Sequence, residues 1–435
     1  MHEIGSKDRS DPKDDYLYGP GPAWFAFAMT VALMVFDYVD RQVIVSLFPH
    51  IKQEWALSDK QLGALVSIVS VTVALGAVPV ALVADRVSRV KSIVAMATAW
   101  SLACIACMFT RNYGQLLTAR AVVGAGEAGY GSVGAALIAS HFPSRMRGAL
   151  MAGFFAAASI GSVLGVVLGG VIAARWGWQA AFGVVGLPGL LLALLYLKVK
   201  DYTTVQLTPG HSEATRTLGG VVRFITQALV RSRTVLWTCI GASFQLIVPS
   251  AVWSWLPSYL NRFHGMPTHQ SSIQAALVVL CGAAGAVLWG AVVDRSGRNR
   301  PRNKLWAMSV LSLVSLVLLG VAFGCGIWFG PSVSHTTQFG LIALGGFVVT
   351  CTVGPVSAIV IDVVHPGVRS TGSSVLSLFQ NLLGLATGPF IAGGLSDAVG
   401  LQNAMAFMPV FGVFAALAFI KASFSYESDM RAASA

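Results

Sequence analysis

The chain has 435 residues, of which 55% are hydrophobic and only 11% are charged. Its mean hydropathy is +0.71. A water-soluble globular domain carries about 25% charged residues, so this composition excludes that class and indicates a protein of the lipid bilayer. The formal net charge is +11, and in a membrane protein such an excess is typical of cytoplasmic loops before it indicates nucleic-acid binding. We therefore expect membrane lipids, and no nucleic acid, among its partners.

Twelve apolar segments, here called spans 1 to 12, lie between charge clusters and Gly/Pro breaks. Each is close to the ~20 residues that a helix needs to cross the hydrocarbon core. Their limits are near 22–48, 60–83, 92–110, 115–140, 147–173 and 180–198, then 234–260, 271–293, 304–328, 338–361, 370–396 and 402–424. The predicted fold class is an all-α membrane protein with twelve transmembrane helices in two pseudo-symmetric six-helix bundles.

Lysine and arginine concentrate in the loops that follow the even-numbered spans. By the positive-inside rule this distribution predicts that both termini are cytoplasmic. The first apolar stretch has no small-residue cleavage site, so we expect no cleaved signal peptide. We expect a monomer in the plasma (inner) membrane. Its N-terminal tail, first bundle, linker, second bundle and C-terminal tail are predicted at 1–21, 22–198, 199–233, 234–424 and 425–435.

The linker between the halves contains apolar residues at helical spacing, with arginines nearby. This pattern predicts an amphipathic helix lying on the cytoplasmic surface. A solvated linker without regular structure is the alternative. The apolar positions are Leu218, Val221, Val222, Ile225 and Leu229.

Metal and cofactor signatures are weak in this sequence. Six cysteines lie inside apolar segments and predict small buried side chains without a disulfide framework, at Cys104, Cys107, Cys239, Cys281, Cys325 and Cys351. Cys104 and Cys107 have the spacing of a metal-ligand pair, but no second pair accompanies them. The sequence also lacks a Gly-x-x-x-x-Gly-Lys-Ser/Thr loop, which removes the commonest ATP-driven pump architecture. We expect no metal and no cofactor.

Two pairs of loop sequences relate the halves to each other. Ala84–Lys91 after span 2 is similar to Gly290–Arg300 after span 8, and Phe142–Gly148 before span 5 is similar to His365–Gly372 before span 11. A duplicated six-span unit joined by a central loop is the layout of a rocking transporter whose site lies between the halves.

With these loops the chain resembles the major facilitator superfamily over essentially its whole length. The Asp-Arg-x-Gly-Arg pattern is complete at Asp294–Arg298 and imperfect at Asp85–Arg89, where Ser88 replaces glycine. Within the superfamily the first half is similar to the spinster-type lipid transporters, at Asp37–Arg41, Arg120–Tyr130 and Trp176–Leu190. The resemblance implies proton-linked movement of lysophospholipids or sphingoid lipids. It also implies that the paired loops lock a cytoplasmic gate, through Asp85, Arg86, Arg89, Asp294, Arg295 and Arg298.

Five charged residues lie inside the predicted hydrocarbon region, in spans 1 and 4: Asp37, Asp40, Arg41, Arg120 and Glu127. Each costs about 2.5–3.5 kcal/mol or more if it faces lipid, so these groups must face a cavity or each other. Burial favours the protonated form of a carboxyl, and a nearby arginine favours the ionised form. Movement of Arg120 between Asp40 and Glu127 would therefore switch a proton on and off. A permanent ionic staple is the alternative, and Asp37 either couples or only pairs with Arg41.

The leading prediction is a proton-coupled transporter of an amphiphile. A headgroup would bind near Arg41 and Arg120, and an apolar tail would lie against the second half, whose spans 7, 8, 10 and 11 hold no charge. Phe244 and Gln245 in span 7 are candidates to line the cavity or to pack between helices. The rival within the same class is a symporter of small organic anions, since that branch shares parts of spans 1 and 4, and Gln380 and Asn381 would supply polar contacts.

Two other classes of protein fit less well. A non-transporting receptor with this fold has no need for costly buried charge. An intramembrane aspartyl hydrolase is motivated by Asp37 and Asp40, but these two lie three residues apart on one helix and do not face each other across two. We therefore expect that the protein is not an enzyme.

Overall fold

A computed structural model describes residues 16–201, 232–328, 334–364 and 369–434. Within these ranges the chain is helical, with short 3₁₀ and π segments and no β-strand. The described part contains 12 helical stretches long and apolar enough to cross a membrane. The predicted fold class is therefore confirmed. The predicted amphipathic helix, between Leu218 and Leu229, lies outside the described residues.

The first half has eight helices, because span 4 is broken and a short helix precedes span 2. This short helix, α2, was not predicted. The bounds are α1 Pro20–Gln42, α2 Phe48–Trp55, α3 Asp59–Arg86, α4 Arg89–Cys107, α5 Tyr113–Glu127, α6 Tyr130–His141, α7 Ser144–Trp176 and α8 Trp178–Tyr196. A 3₁₀ turn, Val43–Ser46, joins α1 to the segment before α2.

The second half follows the same plan, with breaks in spans 10, 11 and 12. Its helices are α9 Arg233–His264, α10 Thr268–Ser296, α11 Asn303–Trp328, α12 His335–Val349, α13 Val353–Asp362, α14 Arg369–Phe379, α15 Thr387–Val399, α16 Leu401–Phe407 and α17 Phe411–Ser434. A π-helical segment, Gln380–Leu385, separates α14 from α15. Helix α17 continues to Ser434, through most of the segment that the sequence assigned to a C-terminal tail.

Because the number of spans is even, both described chain ends lie on one face, here called the terminus side. The opposite face is the far side. The two halves pack together near the far side, where α3 contacts α15 and α7 contacts α10. The approach is close: a Cβ at Gly63 would lie 2.3 Å from the Pro389 carbonyl oxygen, and one at Gly393 would lie 2.4 Å from the Asp59 carbonyl oxygen. Only glycine permits this contact between helix backbones.

Hydrogen bonds between the halves converge on Asp59, at the start of α3. Arg262, near the end of α9, donates to both carboxylate oxygens of Asp59, at 2.7 and 2.8 Å. Ser396 also donates to Asp59. In the reverse direction, Asp397 of α15 accepts from the backbone N–H groups of Asp59 and Lys60, each at 2.8 Å. An anion at a helix N-terminus is favourable, so each half supplies a carboxylate that holds the other, and the far side is closed.

We predict that Arg262→Gln opens the far side, because it removes a cation that crosses between the halves. Lys52→Gln is the matched control: Lys52 also contacts Asp59, at 2.5 Å, but belongs to the same half. A charged hydrogen bond of about 2 kcal/mol corresponds to a population change of about 30-fold. Spin labels at Arg175 and Thr336, both exposed on the far side, report the distance between halves. Equal distance distributions in Arg262→Gln and Lys52→Gln would contradict the prediction.

Candidate functional site

The buried acids of α1 lie in its last two turns. The side chain of Asp37 is 4% exposed, and Asp40 is fully buried. Asp37 and Arg41 are four positions apart in sequence, so both side chains project from the same face of the helix. The helix ends at Gln42, and its last carbonyl groups therefore need partners from elsewhere.

Arg41 lies between two carboxyl groups. Its Nε is 2.9 Å from Oε2 of Glu127, and its Nη2 is 3.5 Å from Oδ1 of Asp37. Its guanidinium also lies 5.2 Å from the centre of the Tyr38 ring. Both carboxyl contacts have ion-pair distances, although neither Glu127 oxygen accepts an aligned hydrogen bond. One guanidinium balances one carboxylate, so this triad holds either a net negative charge or a proton.

Arg120 is fully buried and binds backbone carbonyls rather than carboxylates. Its Nη1 donates to the Asp40 carbonyl at 2.8 Å, and its Nη2 donates to the Arg41 carbonyl at 3.3 Å. Its Nε donates to the Leu65 carbonyl of α3 at 3.4 Å. Arg120 thus caps the C-terminal end of α1, where the helix dipole favours a cation. The predicted exchange of Arg120 between the carboxylates of Asp40 and Glu127 does not describe this conformation.

Asp40 has a different environment from Asp37 and Glu127. Its Oδ1 accepts a hydrogen bond from the Cys104 thiol at 3.4 Å, and its Oδ2 has no hydrogen-bond partner. Among the described residues, no side-chain nitrogen of a lysine, arginine or histidine forms an ion pair with Asp40 within 4 Å. An ionised carboxylate buried in this way lacks the pairing that normally offsets its desolvation.

Span 4 is broken immediately after Glu127. Helix α5 ends at this residue, and Gly129 has φ +83° before α6 begins at Tyr130. Residues that carry a side chain rarely adopt this backbone φ, so the glycine at position 129 permits the break. Irregular backbone at membrane depth occurs where it is buried or lines a cavity. At the start of α6 the Tyr130 hydroxyl donates to the Thr30 carbonyl at 2.6 Å, which joins α6 to α1.

The candidates of span 7 are engaged in packing. Gln245 is 1% exposed, and its Nε2 donates to the Val349 carbonyl at 3.0 Å and contacts Ser315 Oγ at 3.4 Å. Phe244 stacks on Phe411 with ring centres 6.2 Å apart. Both side chains therefore join helices of the second half, which is the packing alternative for these residues; Phe244 remains partly exposed, and binding of substrate by Phe244 or Gln245 stays a prediction.

Gln380 and Asn381 begin the π-helical segment of span 11 and are both partly exposed. Asn381 Nδ2 donates to the Ser377 carbonyl at 2.9 Å. Short π segments inside helices frequently occur at functional sites. The two residues thus remain candidates for contact with a ligand.

The predicted gate residues are described in part. The side chains of Asp85 and Arg86 lie outside the described part of the structure, and Arg89 Nη1 donates to the Ala136 carbonyl at 3.5 Å. Asp294 is exposed and lies 3.8 Å from Lys304 of its own half. Arg295 and Arg298 are exposed at the same end. In this conformation the Asp294 contact is within one half.

Two positions were missed by the sequence reasoning. Asp59 was treated as part of a loop, although Ser58 and Gln61 form a capping box that marks the start of α3. Cys104 was interpreted as a small apolar residue, and nothing in the sequence indicates its contact with Asp40. The first had a signal in the sequence, whereas the second depends on how α1 packs against α4.

Comparisons with known proteins agree with this architecture. The Major Facilitator Superfamily model matches residues 30–382. An MFS-type efflux pump of Mycolicibacterium smegmatis is 27% identical over 88% of this chain and 86% of that protein. The sphingosine-1-phosphate transporter SPNS2 of Mus musculus is 26% identical over 84% of this chain and 68% of that protein. A gallate transporter of Pseudomonas putida is 27% identical over 68% of this chain and 72% of that protein.

Among solved structures, the chain is similar to a bacterial homologue of the human lysosomal transporter spinster in an inward-facing, unoccupied conformation. The TM-score is 0.82 at 22% identity, over 94% of this chain and 99% of that chain. The family model and this fold together cover nearly all the described spans. The chain belongs to the Major Facilitator Superfamily, a family of transporters, and its sequence and fold are similar to those of spinster-type transporters.

Proposed function

We propose that this protein is a proton-coupled secondary active transporter of an amphiphilic lipid, such as a lysophospholipid or a sphingoid lipid, in the plasma (inner) membrane. It works by rocker-switch alternating access. The observation that carries the proposal is Asp40, a fully buried carboxyl with a thiol as its hydrogen-bond donor and no ion pair among the described residues. The neutral, protonated acid suits these surroundings better than the carboxylate does.

Two acidic sites can hold a proton in this arrangement. One is Asp40, and the other is the triad of Asp37, Arg41 and Glu127, which has one cation for two acids. Arg120 holds the backbone of α1 and α3 in register with α5. A proton leaving Asp40 would create a charge next to this joint, and only a rearrangement of α1 against α4 and α5 would give that charge a partner.

The proton site is linked to the far-side gate through one short stretch of chain. After Arg41 the chain forms the 3₁₀ turn Val43–Ser46 and then α2, whose Lys52 contacts Asp59. Phe48 of α2 also packs on Trp255 of the second half, with ring centres 5.1 Å apart. In our proposal a movement at the end of α1 therefore changes the Phe48–Trp255 contact between the halves and shifts Asp59, whose bonds to Arg262 keep the far side closed.

Arg41 is the better candidate to bind an anionic headgroup. Its side chain is 17% exposed, whereas Arg120 is fully buried and bonded to backbone. A headgroup phosphate on Arg41 would compete with Asp37 and Glu127, which links substrate binding to protonation of these acids. The uncharged spans of the second half supply the apolar wall for the tail.

A symporter of small organic anions is the second candidate function. It is favoured by the likeness to a gallate transporter and by the partly exposed amides Gln380 and Asn381 of span 11. A compact anion would use Arg41 on one side and these amides on the other, with no apolar tail.

We expect Asp40→Asn and Glu127→Gln to abolish substrate accumulation driven by a pH gradient, because each removes a proton carrier while keeping the shape of the side chain. Exchange of labelled substrate without a gradient should persist. A fluorescent lysophospholipid reports accumulation and exchange in proteoliposomes, and a pH dye inside them reports the accompanying proton movement. Glu54→Gln is the control, since Glu54 belongs to the same half but bonds to Trp178. Full gradient-driven uptake by both variants would contradict the assignment of Asp40 and Glu127 as proton carriers.

Cys104 is expected to position the Asp40 carboxyl. Cys104→Ala should lower proton-driven uptake by about fivefold, the equivalent of one hydrogen bond of about 1 kcal/mol. Cys104→Ser keeps a donor and should restore most of the rate. Cys107→Ala is the matched control, because Cys107 is also buried on α4 but has no hydrogen bond to Asp40 among the described contacts. Identical rates in Cys104→Ala and Cys107→Ala would argue against this role.

Substrate class is tested by binding across a series of lysophospholipids of increasing chain length. Each added methylene should tighten binding by up to about 0.8 kcal/mol, or nearly fourfold, until the apolar wall is filled. Arg41→Ala should weaken every member, with Arg111→Ala as the exposed control. If affinity does not change with chain length while gallate binds and depends on Gln380 or Asn381, the organic-anion function replaces the lipid function.

A further inference from the structure

A polar cavity lies at the terminus side of the second half, far from the buried acids. It has a volume of about 490 Å³ and lies between the loop that precedes α11 and the end of α17; its lining includes Arg300, Arg302, Glu427 and Arg431. A second cavity of about 340 Å³ adjoins it, sharing Arg302 and Glu427 and adding Trp306 and Phe424. These volumes fall in the ~300–1,000 Å³ range of small-molecule sites.

The cavity has an excess of positive charge. Three arginines and one acid line it, and among the described residues none of the three arginines has a carboxylate within ion-pair distance. Nearby Lys304 is different, because its Nζ lies 3.8 Å from Asp294 and 3.5 Å from Asp362. The neighbouring lysine is thus neutralised by acids of its own half, whereas the cations of the cavity are available to an anion from outside.

An exposed apolar surface continues from the cavity toward the middle of the membrane. Phe424 is 78% exposed and Trp306 is 43% exposed. On α11, Trp306 and Val310 are one turn apart, and on α17, Leu417 and Phe424 are two turns apart, so each pair shares a face. Val310 and Leu417 are also exposed. Tryptophan side chains are enriched where hydrocarbon meets headgroups, so Trp306 places the cavity at headgroup level with an apolar surface beneath it.

We propose that this cavity binds the headgroup of an anionic phospholipid, whose acyl chains lie along the exposed faces of α11 and α17. Arg300, Arg302 and Arg431 contact the phosphate, and Glu427 limits the net charge. Basic pockets between membrane helices bind anionic headgroups in this way. The site is separate from the transport pathway: it lies on the outside of one half, and the ligand remains part of the membrane.

The test compares the binding of dioleoylphosphatidylglycerol and dioleoylphosphatidylcholine to the purified full chain by native mass spectrometry. The parent should retain phosphatidylglycerol preferentially, and Arg302→Gln with Arg431→Gln should weaken its binding by about tenfold or more. Glu427→Gln should strengthen it. Arg145→Gln with Arg147→Gln, two exposed arginines of the first half, is the matched control and should behave as the parent does.

Several results would overturn the assignment. Equal retention of the two lipids by the parent would show that charge does not select the ligand. Equal loss in the Arg302/Arg431 and Arg145/Arg147 variants would show a general effect of surface charge. Displacement of the lipid by glycerol 1-phosphate at the same concentration would show a site for soluble phosphates, since that probe has the headgroup chemistry without acyl chains. Thermal unfolding of each variant separates lost binding from lost folding.

Discussion

The cost of burying charge in hydrocarbon governs this structure. Five charged groups of the first half lie inside the membrane-spanning region, and each must find a partner or lose its charge. Arg41 finds Asp37 and Glu127, and Arg120 finds the carbonyls that the end of α1 leaves free. Asp40 alone has no charged partner among the described residues. The imbalance of two cations and three acids leaves a place for a proton.

The same constraint links the proposed proton site to the contacts that close the far side. The end of α1 cannot move without disturbing the bonds of Arg120, and its continuation leads through α2 to Lys52 and Asp59. At Asp59 each half offers a carboxylate to the other. The Asp59 carboxylate accepts from Arg262 of the second half, and the Asp397 carboxylate accepts from the backbone at the start of α3. The end of α1 and the Asp59 contact therefore each depend on whether a carboxyl group has a charged partner. Pairing of a carboxyl group changes with its protonation and with the separation of the halves.

Much of the architecture was predictable because hydrocarbon thickness fixes span length and composition. The twelve spans followed from the lengths of the apolar segments, and the buried charged residues of spans 1 and 4 followed from their positions inside those segments. The pairing of these residues did not follow from counting: Arg120 binds backbone carbonyls because α1 ends beside it, and Gln245 is used in packing because α9 contacts α12. Helix rotation and the breaks at Gly129 and Gln380–Leu385 decide such contacts, and one chain's apolar pattern does not specify them. The contacts of Asp59 that close the far side were not predicted from the sequence, because the partners of Asp59 lie about 200 and 340 residues away along the chain.

The most direct test of the account is the protonation of Asp40 in the far-side-closed state. Infrared difference spectroscopy in lipid at neutral pH detects the C=O stretch of a protonated carboxylic acid. We expect such a band in the parent, its loss in Asp40→Asn and its persistence in Asp294→Asn, whose acid is exposed. A spectrum in which the parent and Asp40→Asn are identical would show that Asp40 is ionised in this state, and would contradict the assignment of Asp40 as the proton carrier.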